Sequence, residues 1–296
     1  MRRGTILALV FLLSWLGGCR SEHDGRLVVG SKNFTEQIVL AELLAQLVEA
    51  RGGVDVQRRV NLGGTLLCHQ AIRAGQIDLY VEYTGTALTA VLGEKPAGNA
   101  AEVLGRVREE YARRFGLRVG EPLGFENTFA IVVRGDAARQ FGLKTISDLA
   151  RHAPGWRAGF GYEFMERPDG FKGLASTYKL RFNATPRIME LGLLYRALKE
   201  NQVDVVAGNS TDGVIAALDL VALEDDRGYF PPYQAVPVVR WQVLERLPGL
   251  REALGAIAGK ISAEEMRRLN YAVDGEQRDV KAVVGGFLRS RGWVSP

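Results

Sequence analysis

Apolar positions in the first half of the chain switch repeatedly between short runs, alternation and a helical period. Leu27 to Gly30 reads as a short buried strand, and Ile38, Val39, Leu43, Leu44 and Leu47 share one face of a helix. Ahead of that face, Asn33-Phe34-Thr35-Glu36 has the spacing of an N-cap with a carboxylate at N3. Residues Val54 to Val60 alternate as a strand and end at Asn61-Leu62-Gly63-Gly64-Thr65, a glycine-rich turn into a second helix. Ile77, Leu79, Val81 and Tyr83 alternate with Asp78, Tyr80 and Glu82, and Thr84-Gly85-Thr86 then opens another helix. Ala100 to Phe115 is a charged amphipathic helix with a solvated face. Further on, strands are expected over Phe129 to Arg134 and Val203 to Ala207, with helices near Leu174 to Leu180 and Leu193 to Asn201. The tail from Val236 reads as helical, with a capping box at Ser262-Ala263-Glu264-Glu265 and a last helix near Val280 to Arg289. Alternation of strand and helix puts the chain in the α/β class.

One segment occurs twice. Ala71 to Tyr83 (AIRAGQIDLYVEY) returns 126 residues later as Ala197 to Asn209 (ALKENQVDVVAGN), which aligns Gln76 with Gln202, Asp78 with Asp204 and Tyr83 with Asn209. Each copy is the end of an amphipathic helix, a Gly or Asn stop, and a strand. Two similar lobes follow, each bringing a strand end to a shared cleft, because strand-end loops are where α/β folds gather ligands. The chain should cross between lobes near Gly124 to Asn127 and return near Phe230-Pro231-Pro232-Tyr233. Lobe I is then residues 26–127 plus 234–296 and lobe II residues 128–233. Closure about two such crossings is a standard way to trap a ligand.

Composition changes the picture mainly at the N-terminus. Arg2 and Arg3 precede an apolar run from Ile6 to Leu16, too short for a bilayer core of about 30 Å. It reads as an export signal, residues 1–18. Leu16-Gly17-Gly18-Cys19 resembles the lipobox of bacterial lipoproteins, which makes Cys19 the lipidated new N-terminus and residues 19–25 a tether. Without residues 1–18 the chain has 278 residues, and loss of Arg2 and Arg3 lowers the formal charge from +4 to +2. Such a balance gives no electrostatic case for nucleic acid. Cys68 is then the one remaining thiol, so no internal disulfide can form, and 47% hydrophobic residues must supply the core.

The candidate chemistry is that of a binder. No HExxH, GxSxG or P-loop is present, and the three histidines are His23, His69 and His152. Cys68 and His69, adjacent on a helix, point about 100° apart, so they read as a packed cysteine and a surface histidine rather than a catalytic pair. The turn at Gly63-Gly64 lacks the Lys-Ser/Thr that phosphate cradling needs. No metal site and no cofactor are expected. Ser31, Lys32 and Asn33 lie where a strand feeds a helix N-terminus, a place suited to anions.

Several motifs occur in order: Gly30-Ser31-Lys32-Asn33-Phe34-Thr35-Glu36-Gln37, Leu62-Gly63-Gly64-Thr65, Gln76 to Thr86 (QIDLYVEYTGT), Ser210-Thr211-Asp212-Gly213, Glu224 to Tyr233 (EDDRGYFPPY), Gly259-Lys260-Ile261-Ser262 and Leu269 to Asp274 (LNYAVD). Together they resemble the substrate-binding proteins of osmoprotectant ABC importers, which take glycine betaine, choline and carnitine. The resemblance covers essentially the whole mature chain. It implies a two-lobed type II periplasmic-binding-protein fold, monomeric and extracytoplasmic. It also implies delivery of a quaternary-ammonium solute to a membrane permease with a cytoplasmic ATPase.

In relatives the cation sits in a box of four tyrosines, because a trimethylammonium group has no N–H donors and is attracted by aromatic faces. Carried over by motif, the walls fall at Tyr83, Phe129, Asn209 and Tyr233. Phe129 keeps a π face, whereas Asn209 replaces a wall with a neutral amide. Tyr162, Tyr195 and Tyr229 are candidates to restore it. The ligand carboxylate is assigned by resemblance to Lys32 and Arg167, with Asn127 and Thr86 as polar contacts. The departure at Asn209 leaves two ligand classes open: a simple osmolyte, or another zwitterion such as an aromatic betaine of the ergothioneine kind. A ligand sensor without a transport role is a further reading.

Overall fold

A computed structural model describes residues 26–95 and 98–295 of the chain. The export signal and Cys19 lie outside the described residues. Among the described residues, ten strands form two sheets of five. The first holds β1 (Leu27–Gly30), β2 (Val56–Arg59), β3 (Leu79–Tyr83), β4 (Leu117–Val119) and β10 (Ala235–Arg240), in the order β2-β1-β3-β10-β4. The second holds β5 (Phe129–Arg134), β6 (Ala158–Phe160), β7 (Arg187–Ile188), β8 (Val205–Asn209) and β9 (Leu220–Leu223), in the order β7-β6-β8-β5-β9.

The two orders correspond strand for strand, and each sheet has one central antiparallel member, β10 beside β3 and β5 beside β8. The repeated aspartates show why the sequence recurs. Asp78 accepts from the Val28 backbone N–H at 3.0 Å and pairs with Arg240 at the end of β10. Asp204 accepts from the Arg157 N–H at 2.9 Å, and Arg134 at the end of β5 stands 3.7 Å from it. In both sheets one carboxylate ties the strand start to its parallel neighbour and to the arginine ending the antiparallel strand.

The tail departs from its expected helical reading. Ala235–Arg240 is a strand buried along five of its six residues, and Pro237 opposite Val81 hides it in the sequence, since proline removes a ladder donor. Beyond it the chain is helical, with the capping box at Ser262 and Glu265 formed and the last helix at Val280–Ser290. These C-terminal helices pack on the helix Thr35–Gly52, whose Val39, Leu40, Leu43, Leu44, Leu47 and Val48 are buried against them and the first sheet.

That helix also starts differently from expectation. Phe34 is its N-cap in extended conformation with no side-chain cap, so Glu36 is at N2, and its carboxylate turns inward instead of capping. His69 is buried, not exposed, edge-on to Phe115 at 4.6 Å and near Tyr111, and burial pushes its pKa down to about 4. Cys68 is buried as expected, and burial pushes its thiol up to about 12.

The chain passes between the sheets twice, from β4 to β5 and from β9 back to β10, and the two crossing segments touch at a Glu126–Gln234 bridge.

Candidate functional site

The carboxyl ends of β1, β3, β6 and β8 point toward one another across the gap between the sheets. Ligands of open α/β sheets bind at such ends. Here the gap is a cleft of about 760 Å³. Lys32 and Phe34 follow β1, Tyr83 ends β3, Tyr162 and Phe164 follow β6, and Asn209 ends β8. All eight residues singled out in the sequence, Lys32, Tyr83, Thr86, Asn127, Phe129, Arg167, Asn209 and Tyr233, line this one cleft.

Rings form its inner part. Tyr233 packs on the first turn after β3, where a side chain on Gly85 would come within 2.7 Å of its ring. Phe129 meets the Tyr233 ring edge-on at 6.1 Å and that of Phe164 at 4.8 Å. Phe34 stacks on Tyr83 at 6.4 Å. Of the three tyrosines considered as a replacement wall, only Tyr162 lines the cleft. Tyr195 stands behind Asn209, donating to Asp212 at 2.5 Å, and the Tyr229 hydroxyl donates to the Gly170 carbonyl.

The charged groups are held by protein partners. Lys32 is buried, ion-paired to Glu82, and its ammonium stands 5.2 Å from the centre of the Tyr83 ring. Arg167 grips Asp169 through Nε at 2.9 Å and Nη2 at 2.5 Å, donates to Thr86 Oγ1 at 3.0 Å, and lies 4.9 Å from the Phe129 ring centre. Asp169 also accepts from the Tyr233 hydroxyl at 2.5 Å. Burial opposes its charge, and the Arg167 bonds overcome that and hold its carboxyl below the usual range. The pair therefore fixes Arg167, Tyr233 and Thr86 as one unit. Asn209 gives its side-chain amide, at 3.3 Å, and its backbone N–H, at 2.9 Å, to Asp212, whose pKa burial pushes up to about 6. This carboxylate fixes the amide with its NH₂ inward, which leaves the carbonyl oxygen as the group available to a ligand.

Three further residues organise the site without having been picked from the sequence. Glu36, fully buried, accepts from Tyr83 Oη at 2.6 Å, Asn127 Nδ2 at 2.8 Å, Asn270 Nδ2 at 3.0 Å and the Thr211 hydroxyl. Asp169 anchors Arg167 as described. Glu163, from beyond β6, accepts from the Thr65 N–H at 2.5 Å across the cleft, at the start of the helix Thr65–Arg73. A side chain on Gly64 would collide with that carboxylate.

Comparison with known proteins gives the chain a family and a fold. The family model for the substrate binding domain of ABC-type glycine betaine transport systems matches residues 25–290. A carnitine transport binding protein of Listeria monocytogenes, OpuCC, is 35% identical over 280 residues, covering 94% of this chain and 91% of its own length. An ergothioneine transport permease/ergothioneine binding protein of Helicobacter pylori, EgtU, is 33% identical over 94% of this chain, and the match spans 50% of that longer protein. A crystal structure of a glycine betaine/carnitine/choline ABC transporter superposes with a TM-score of 0.75 at 33% identity, over 90% of this chain and 99% of the other. The fold is thus that of type II periplasmic binding proteins, and with two sheets closing on a ring-lined cleft the chain belongs to the family of substrate-binding domains of ABC-type glycine betaine transport systems.

Proposed function

We propose that this protein is the extracytoplasmic receptor of an ABC importer, capturing a quaternary-ammonium solute such as glycine betaine, choline or carnitine for delivery to the permease. The observation that carries the reading is the cluster of Tyr83, Phe129 and Tyr233 around one cleft, beside Lys32 and Arg167. A trimethylammonium group gains roughly 0.5 to 2 kcal/mol from each aromatic face. Arg167, fixed by Asp169 on one side, presents the rest of its guanidinium to a carboxylate. Lobe I, residues 26–127 plus 234–296, and lobe II, residues 128–233, close on the ligand as a monomer. Cys19 carries the lipid that keeps the receptor at the outer side of the membrane.

A second reading, an aromatic betaine as ligand, is favoured by the amide of Asn209, whose available carbonyl oxygen suits a ligand N–H. Thermal shift and calorimetry with glycine betaine, choline, carnitine and ergothioneine test both. A cognate ligand at about a hundred times its Kd stabilises by about 2.7 kcal/mol. Failure of every quaternary compound to shift the melting point refutes the proposal. The Asn209→Tyr variant separates the two readings: weaker binding marks a ligand that uses the amide, and a gain of roughly 0.5 to 2 kcal/mol for glycine betaine marks a simple osmolyte.

A further inference from the structure

The outer part of the same cleft has a different character. Leu66 and Leu67, on the first turn of the helix Thr65–Arg73, are 56% and 55% exposed, and facing them Tyr162 and Ile188 are 66% and 57% exposed. Met189 and Leu191 continue the surface, and all six line the cleft. The Leu67 and Leu191 side chains fold over glycine backbone, where a Cβ on Gly63 or Gly161 would overlap them. Large apolar groups gathered from both sheets around a single opening are unusual on a folded surface and mark contact with something apolar.

We propose that this mouth is a subsite for the arm of the ligand, so that the natural solute is a quaternary-ammonium compound carrying an apolar chain of several carbons. The inference rests on the reading of the inner rings as the cation site. Its basis is continuity: the apolar mouth and the ring cluster are two ends of one cleft, whose 760 Å³ is in the range of sites for ligands much larger than a small osmolyte. The carboxylate beside Leu66, that of Glu163, is already held by the N–H and the hydroxyl of Thr65.

The test is calorimetry on the mature protein with carnitine and its acetyl, butyryl, hexanoyl and octanoyl esters, glycine betaine serving as the ligand without an arm. Each methylene laid on the leucines should tighten binding by about twofold to fourfold, the upper figure being full burial of a CH₂. In the Leu67→Ser/Ile188→Ser double variant the loss should grow with chain length. A loss equal for every ligand would mean that these side chains serve only closure of the cleft or a protein contact, and would overturn the proposal. Binding of glycine betaine or carnitine that does not strengthen along the series overturns it alone. Absence of binding by any quaternary compound overturns both it and the reading beneath it.

Discussion

Replacing Glu36 by glutamine exchanges one oxygen for an NH₂ of nearly the same shape, and the geometry leaves no good place for it. Each carboxylate oxygen receives one amide donor, Asn127 Nδ2 on Oε1 and Asn270 Nδ2 on Oε2. The Tyr83 and Thr211 hydroxyls can rotate to accept, but either orientation of the introduced amide sets its NH₂ against another NH₂. Turning Asn270 over would forfeit its 2.9 Å bond to the Thr211 carbonyl, and turning Asn127 over would put its NH₂ where its buried oxygen now has no partner. One bond to a charged group is lost, worth about 1.5 to 3 kcal/mol, and a buried donor is left unsatisfied at a further 1 to 3 kcal/mol or so. Relief from burying the carboxylate, which raises the Glu36 pKa, offsets part of this. The net expectation for Glu36→Gln is a loss of roughly 2 to 4 kcal/mol, together with weaker ligand binding because Tyr83 and Asn127 lose their common anchor. Urea denaturation at neutral pH measures the first and calorimetry the second. A variant as stable as the wild type, with unchanged affinity, would refute the claim that this carboxylate holds the site together.

Tyr83→Ala and Tyr233→Ala should each weaken binding of the cognate solute by about tenfold or more, through loss of a cation-facing ring and its fixed partners; calorimetry showing both unchanged would place the ligand elsewhere. Asp212, raised to about 6 by burial, binds more protons folded than unfolded, so its contribution is fully present below about pH 4 and is lost as pH rises through 6. Relative to Asp212→Asn, the wild type should therefore gain on the order of 2 kcal/mol as pH falls from about 7 to 4; parallel stability curves would contradict this. Cys19→Ala should release the protein from the membrane fraction, and a variant still membrane-bound after signal removal would contradict the lipid anchor.

Much of the architecture was written in periodicity. The repeat of Ala71 to Tyr83 at Ala197 to Asn209 marks two strands that hold matching places in two matching sheets, because both copies need the same aspartate at the same strand start. Local pattern failed where a distant contact overrode it. Pro237 disguised a central strand, and Glu36 looked like a capping carboxylate although its partners lie between 47 and 234 residues away. The candidate site was legible through motifs only in that the eight residues they point to share one cleft. Phe34 and Phe164 escaped notice because single aromatics next to strands read as core. Asp169 and Glu163 escaped because a carboxylate shows its partner only after folding.

Threonine contacts at three places join the halves built on the two sheets: Thr65 to Glu163 through two hydrogen bonds, Thr86 to Arg167 and Thr211 to Glu36. All three must break before the halves part, and each involves an ionisable partner, so each adds roughly 1.5 to 3 kcal/mol to the work of opening. Parting of the halves therefore has a barrier of the receptor's own, set by how often these bonds give way together, whatever the solute contributes. Handover then becomes a question of mechanical advantage: a transporter that pulls on either half gains release by straining three threonine contacts, without having to reach the solute at all.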